Sequence, residues 1–167
     1  KEADQIVLVD DDIRERFVGQ YLELDGRLFQ LEVAPDGAFV KVEPARNVPL
    51  GQVRVPDTVA EIAAVGKAGH FVRRPTRGEF TLPVGEYRVH GWKISRKDDT
   101  SQAWSASGSD FGALAVFEVA GSKPATLTIG EPILATLSAT QRKSTVIFGL
   151  RLKGQLGETV QILRGTQ

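Results

Sequence analysis

Two histidines (His70, His90), two tryptophans (Trp92, Trp104) and two acidic runs carry most of the chemistry this sequence offers. Imidazole is the side chain best placed to act as a base or metal ligand near neutral pH. Neither histidine stands in an HxH or HExxH spacing, and the chain has no cysteine, so a metal site would need carboxylates as its majority ligands. The missing thiol also removes a cysteine nucleophile, a cysteine-built zinc knuckle, an iron–sulfur cluster and a redox pair. Ser105, Ser107 and Ser109 lie in a Gly/Ser-rich stretch without a GxSxG elbow. A hydrolase would therefore need a site assembled across strands around His70 or His90. His90 is expected on a strand surface. Asp110-Phe111-Gly112 spells the magnesium triplet of protein kinases, but no glycine-rich phosphate loop, strand lysine or HRD segment accompanies it. A turn with Phe111 tucked inward is the expectation, with no catalytic residue, no metal and no cofactor.

The acidic runs are Asp10-Asp11-Asp12, and Asp98-Asp99 with Asp110 a loop away. Calcium takes six to eight oxygens, which sandwich loops can supply. The simpler reading makes Asp98-Asp99-Thr100 a strand-connecting turn and the first run a strand terminator and helix cap. If exposed, Trp92 and Trp104 would stack on a sugar ring beside the Asp98/Asp99 turn, as a carbohydrate-binding module does; if buried, they are large core residues. His70, Arg73, Arg74 and Arg77 form a basic hairpin suited to an anionic partner, including the acidic first segment, with Asp10, Asp11 and Asp12, of a neighbouring copy.

These side chains need a scaffold, and its pattern is short alternating segments separated by Gly, Pro or Asp. That is the signature of many short antiparallel strands. Leu28–Val33, a Pro35-Asp36-Gly37 turn and Phe39–Glu43 predict a hairpin whose first arm puts Phe29, Leu31 and Val33 on one face. Glu79–Leu82, Pro83-Val84-Gly85 and Glu86–His90 make a second unit joined by a turn. Tyr87 and Val89 share one parity, Trp92 and Ile94 the other, so a β-bulge at Gly91 is expected. Further strands are predicted over residues 113–119, 125–129, 133–139, 145–152 and 159–163. The first, apolar on both parities apart from Glu118, should lie centrally. In the fourth, Val146, Phe148, Leu150 and Leu152 should face inward. Asp10 to Gln20 reads as briefly helical, with Ile13, Phe17 and Val18 on its apolar side.

The segments Gly66, Gly69-His70-Phe71 and Phe80-Thr81-Leu82-Pro83-Val84-Gly85-Glu86-Tyr87-Arg88-Val89 resemble a glycine, short strand, leucine-proline-x-glycine-x-tyrosine signature. It belongs to transthyretin-like and carboxypeptidase-regulatory-like β-sandwiches. Pro124–Pro132 looks like the closing strands of similar modules in secreted bacterial proteins. The resemblance covers about residues 57–132 and implies a non-catalytic accessory or adhesive module outside the cytoplasm, in the periplasm, at the cell surface or secreted.

Charge adds a constraint. The 167 residues balance 21 basic against 21 acidic side chains, but residues 1–56 hold 7 and 11 while residues 57–167 hold 14 and 10. The two stretches should attract each other, within one molecule or head to tail between copies. A uniformly basic nucleic-acid surface is not expected, and no 18-residue apolar run exists to span a bilayer. With no Met and Lys1 at its start, the chain is expected to have lost a segment upstream.

Together these readings predict an all-β protein. A small acidic β-meander over residues 1–56 precedes an antiparallel immunoglobulin-like (transthyretin-like) β-sandwich over 57–167, the boundary falling at Pro56-Asp57. The expected role is a structural or protein-interaction module whose partner is another protein or a neighbouring copy. A glycan is the alternative.

Overall fold

The computed structural model of the protein describes residues 5–8, 14–112 and 115–165, with the backbone alone for 5–8 and 14–17. No helix occurs among the described residues; strands and turns account for the fold. The largest sheet runs in the order β14 (Leu134–Arg142), β15 (Thr145–Lys153), β16 (Thr159–Arg164), β11 (Ala103–Ser109), β10 (Gly85–Lys97), β7 (Val59–Gly66), β8 (Gly69–Arg73). β12 (Val116–Val119) joins the Gly85–Arg88 end of β10, where β11 no longer reaches. Facing it is a three-stranded sheet in which β6 (Leu50–Arg54) pairs antiparallel with β9 (Glu79–Pro83) and parallel with β13 (Ala125–Thr126).

Alternation along each strand delivers one apolar row to the space between the sheets. Val53, Phe80, Leu82 and Leu127 from the smaller sheet meet Ile62, Phe71, Tyr87, Val89, Trp92 and Ile94 from the larger in one buried cluster. The odd and even parities of β10 both reach this core because of the expected bulge. Val89 pairs with Ala64 and Gly91 with Ala63, leaving His90 as the extra residue. A second irregularity, between Lys93↔Glu61 and Ile94↔Val59, places the extra residue on β7 instead.

Pro83-Val84-Gly85 does not close a hairpin. β9 belongs to the smaller sheet and β10 to the larger, so the turn carries the chain across the core. Tyr87 secures this crossing: its hydroxyl donates to the Pro83 carbonyl at 2.8 Å, the tyrosine-corner arrangement of β-sandwiches. Burial holds its phenol well above the ordinary value, keeping it a neutral donor.

The first third of the chain holds a small antiparallel sheet of its own. β3 (Tyr21–Leu24), β4 (Arg27–Val33) and β5 (Val40–Pro44) form a three-stranded antiparallel sheet. It is tied to the β7–β8 turn by Gln20 N–H to Lys67 O and Tyr21 N–H to Ala68 O. β6 lies before Pro56, yet it is a core strand with Val53 fully buried, so a boundary at 56–57 would cut through the sandwich. Residues 14–17 form β2, paired with β1 (Gln5–Leu8), where a helix was expected. β12 is not central either: it hydrogen-bonds β10 alone, with Val119 buried and Val116 exposed.

Replacing Tyr87 with Phe leaves the buried Pro83 carbonyl without its donor. A loss of about 1–3 kcal/mol is expected, read as a lower denaturant midpoint with an unchanged slope.

Candidate functional site

The two tryptophans part company in the structure. Trp92 is 3% exposed, and its indole Nε1–H donates to Glu158 Oε1 at 2.7 Å. Glu158 is fully buried, and its second oxygen accepts the Leu156 N–H at 2.9 Å. A buried carboxylate needs such donors, because leaving water without them costs several kcal/mol. Two glycines make the room: a Cβ on Gly108 would lie 2.4 Å from the indole, and one on Gly154 would lie 2.2 Å from Glu158 Oε1. Trp92 therefore cannot stack on a sugar, which corrects the expectation that it would serve a ligand. Glu158 carries no local signal; a single Glu opening a strand reads as solvated. Only the Gly154–Gly157 spacing before it marks a built loop.

Trp104 is 36% exposed and belongs to a different device. The Asp98 carboxylate accepts from Thr100 N–H at 2.9 Å, Thr100 Oγ1–H at 2.7 Å, Gln102 N–H at 2.9 Å and Trp104 Nε1–H at 2.8 Å. These bonds, led by those from Thr100 and Trp104, hold its pKa down to about 2. Asp98 is thus committed to the β10–β11 turn, as the simpler reading expected, and Asp99 sits beside it on the exposed rim. Lys93, Lys97 and Trp104 line a shallow groove of about 400 Å³. The Arg164 guanidinium lies 5.8 Å from the Trp104 ring centroid and occupies one ring face.

His70 and His90 meet edge to face, with ring centroids 5.7 Å apart. Strand order places β10 and β7 between β11 and β8. At about 4.8 Å per strand, that sets His70 some 14 Å from the serines of β11, too far for a hydrogen-bonded pair. Phe111 packs against the core as expected. His70, Arg73, Arg74 and Arg77 do not form the expected hairpin, because β8 belongs to the larger sheet and β9 to the smaller one, and the arginines that follow β8 turn to partners on their own chain. Arg73 pairs with Glu23 at 2.5 Å, donates to Thr81 O at 3.1 Å and lies over the Phe71 ring. Arg74 pairs with Glu61 at 3.3 Å in an exposed position, and Arg77 occupies a left-handed turn position. Among the described residues, the acidic first segment is met by Arg73 within one molecule, through Glu23. Asp10, Asp11 and Asp12 lie outside the described residues.

The strands expected over 133–139 and 145–152 are present as β14 and β15, but the apolar row of β15 does not face inward. The two strands pair along their length, from Leu134↔Lys153 to Arg142↔Thr145. They join the rest of the sheet through one pair, Lys153↔Thr159. Leu137↔Leu150 and Ala139↔Phe148 share one face, Thr136↔Arg151 and Ser138↔Gly149 the other. Followed back to β16, the apolar face is the side on which Val160 is buried, so it continues the core surface. Leu152 at the root still packs against the core. Leu150, Phe148 and Leu137 are 65%, 67% and 70% exposed, because the three-stranded sheet does not extend over them. The row Val146, Phe148, Leu150, expected inward, faces open space. The hairpin carries Arg142, Lys143, Arg151 and Lys153 and no acidic residue.

Two measurements probe these arrangements. Glu158→Ala leaves the buried Trp92 N–H and the part-buried Leu156 N–H unpaired and should cost about 1–3 kcal/mol or more, while Glu158→Gln, which keeps an acceptor, should cost less; thermal unfolding of both variants reads the difference. The folded pKa of Asp98 lies below its ordinary 3.8, so the turn keeps its carboxylate bonds above that value and loses them as pH falls through about 2. The Trp104 indole N–H resonance should hold its position down to about pH 3 and move with a midpoint near 2, and Asp98→Ala should show the moved position at neutral pH.

No family model matches the chain, and neither a curated protein nor a solved structure matches it.

Proposed function

We propose that this chain is a non-catalytic structural or protein-interaction module of a larger extracytoplasmic assembly or multidomain protein. The observation that carries the reading is the β14–β15 hairpin, a two-stranded arm whose apolar face runs on from the core and meets no covering layer among the described residues. Isolated two-stranded hairpins are marginal in water, and contiguous apolar patches on soluble proteins mark interaction sites. β14 is also the terminal strand of its sheet, nine residues long, with a single charge at its end, so it leaves an open edge that a partner strand can extend.

The extracytoplasmic placement rests on the resemblance to transthyretin-like modules. The tyrosine corner at Tyr87 and the inter-sheet crossing at Pro83–Gly85 agree with that resemblance, since both belong to β-sandwich architecture. A glycan-binding role has less support. Trp92 is enclosed, and Trp104 has spent its N–H on Asp98 and one ring face on Arg164.

Site-specific photocrosslinking tests the reading. A benzophenone side chain at position 148, in protein expressed in its native source, should give an adduct with a polypeptide, whereas one at Glu118 on the opposite region of the large sheet should not. Adducts with lipid or glycan alone, or none at position 148, would overturn it.

A further inference from the structure

We infer that the strand added to the β14 edge is the β14 of a second copy, running antiparallel about a two-fold axis at Ser138. This rests on the interaction-module reading and goes further by naming the partner and the register.

The way the hairpin closes decides which backbone groups are free. A two-residue turn, Lys143-Ser144, joins the strands, which makes Arg142↔Thr145 a hydrogen-bonded pair. Bonded pairs recur at every second residue, so Leu134, Thr136, Ser138 and Thr140 also spend their backbone groups on β15. Ala135, Leu137, Ala139 and Gln141 turn theirs to the open edge. All nine residues of β14 are exposed, and their one-to-one pairing with β15 runs without a bulge. From Leu134 to Gln141 there is no charge, proline or glycine, so the devices that blunt a sheet edge are missing. Other edges are guarded. β8, at the far end of the same sheet, has five residues and ends at Arg73, and the turn before it accepts backbone bonds from Gln20 and Tyr21. β5 carries Lys41, Glu43 and Pro44.

The strand is complementary to its own reverse. With Ser138 opposite the partner's Ser138, Thr136 meets the partner's Thr140 on one face, and Leu137 meets the partner's Ala139 on the other. Leu137, 70% exposed in the single chain, thereby gains a small neighbour and, beyond it, the partner's Phe148, which stands across from that Ala139 in its own hairpin. The residues with free backbone groups face one another and form about eight main-chain hydrogen bonds. A one-residue shift would set free groups against committed ones, and a two-residue shift shortens the ladder. Like charges stay apart. Arg142, the one charge of the strand, faces the partner's Leu134, about 27 Å from its own copy. Lys153 and the partner's Arg142 come closest, two strands or about 10 Å apart, which is about one Debye length.

Such a contact is isologous and closes as a dimer. A strand edge about 30 Å long and about 10 Å deep hides about 600 Å² over both partners, short of the ~1,000 Å² that a stable interface needs. The dimer is therefore weak and fills as concentration rises.

The chain has no cysteine, so single cysteines report the register. Ser138 and its copy form a non-hydrogen-bonded pair with Cα atoms about 4.5 Å apart, within reach of a disulfide. Thr136 and Thr140 each lie about 14 Å from their own copies, beyond that reach. In a glutathione redox buffer at high micromolar protein, Ser138→Cys should give at least several-fold more linked dimer than Thr136→Cys or Thr140→Cys alone. A mixture of the latter two should link to each other. In sedimentation equilibrium the unaltered chain should gain mass with concentration up to that of a dimer and no further. Ala139→Pro removes one edge-facing N–H while sparing the β15 ladder, and Leu137→Lys puts a charge on the edge. Each, shown to be folded by circular dichroism and thermal unfolding, should lose the dimer. A monomeric unaltered chain at millimolar concentration, linkage without preference for position 138, or a dimer that survives in a folded edge variant would overturn the inference. If position 148 crosslinks to a different polypeptide and Ser138→Cys stays unlinked, the second-copy assignment fails while the interaction-module reading stands.

Discussion

The hydrogen bond from Trp92 to Glu158 is the contact on which the layout of the large sheet depends. It joins the middle of the longest strand, β10, to the loop by which the chain returns from the arm into β16, across β11. The carboxylate cannot shift to solvent, because Gly154 closes over one oxygen and the Leu156 N–H holds the other. Gly108 lets the indole lie flat on β11. With both ends enclosed, the loop over residues 154–158 has little freedom, and the direction in which β15 departs from the sheet is set by it.

What leaves the sheet at that point is unlike the rest of the protein. Elsewhere the strands of the large sheet find cover from β6, β9 and β13 across the core, and β3–β5 packs over the β7–β8 turn through Tyr21, Leu28 and the Arg73–Glu23 pair. Beyond Leu152 no second layer follows among the described residues. A strand pair with an apolar row of Leu137, Phe148 and Leu150 on one face is built to be half of a sandwich, and no described strand supplies the other half. That imbalance, together with tryptophans committed to Glu158 and Asp98, is what the proposed interaction role rests on.

Much of this was legible in the sequence. The Pro35-Asp36-Gly37 hairpin, the bulge beside Gly91, the buried Tyr87 and the Asp98 turn all rest on local rules, namely the φ preferences of Pro and Gly, two-residue alternation and the short reach of an aspartate side chain. The errors share one cause. That Pro83–Gly85 crosses between sheets, that β6 completes the core and that β12 is a short edge are decided by contacts far apart in the chain. Asp98 was legible as a turn residue, but its bond to Trp104 was not, because it depends on the β10–β11 register. Glu158 was invisible, since nothing in its neighbours distinguishes a carboxylate under an indole from one in water.

Periodicity alone determined that this chain is all-β, because alternation states which residues share a face. It also determined that the charges divide between the first third and the remainder. Periodicity does not state whether a face is covered, and that is the question on which Val146, Phe148 and Leu150 turned. Whether an apolar row is core or surface depends on how far the opposing layer extends. Only the tertiary structure decided that, by ending the smaller sheet at three strands while the larger one continued.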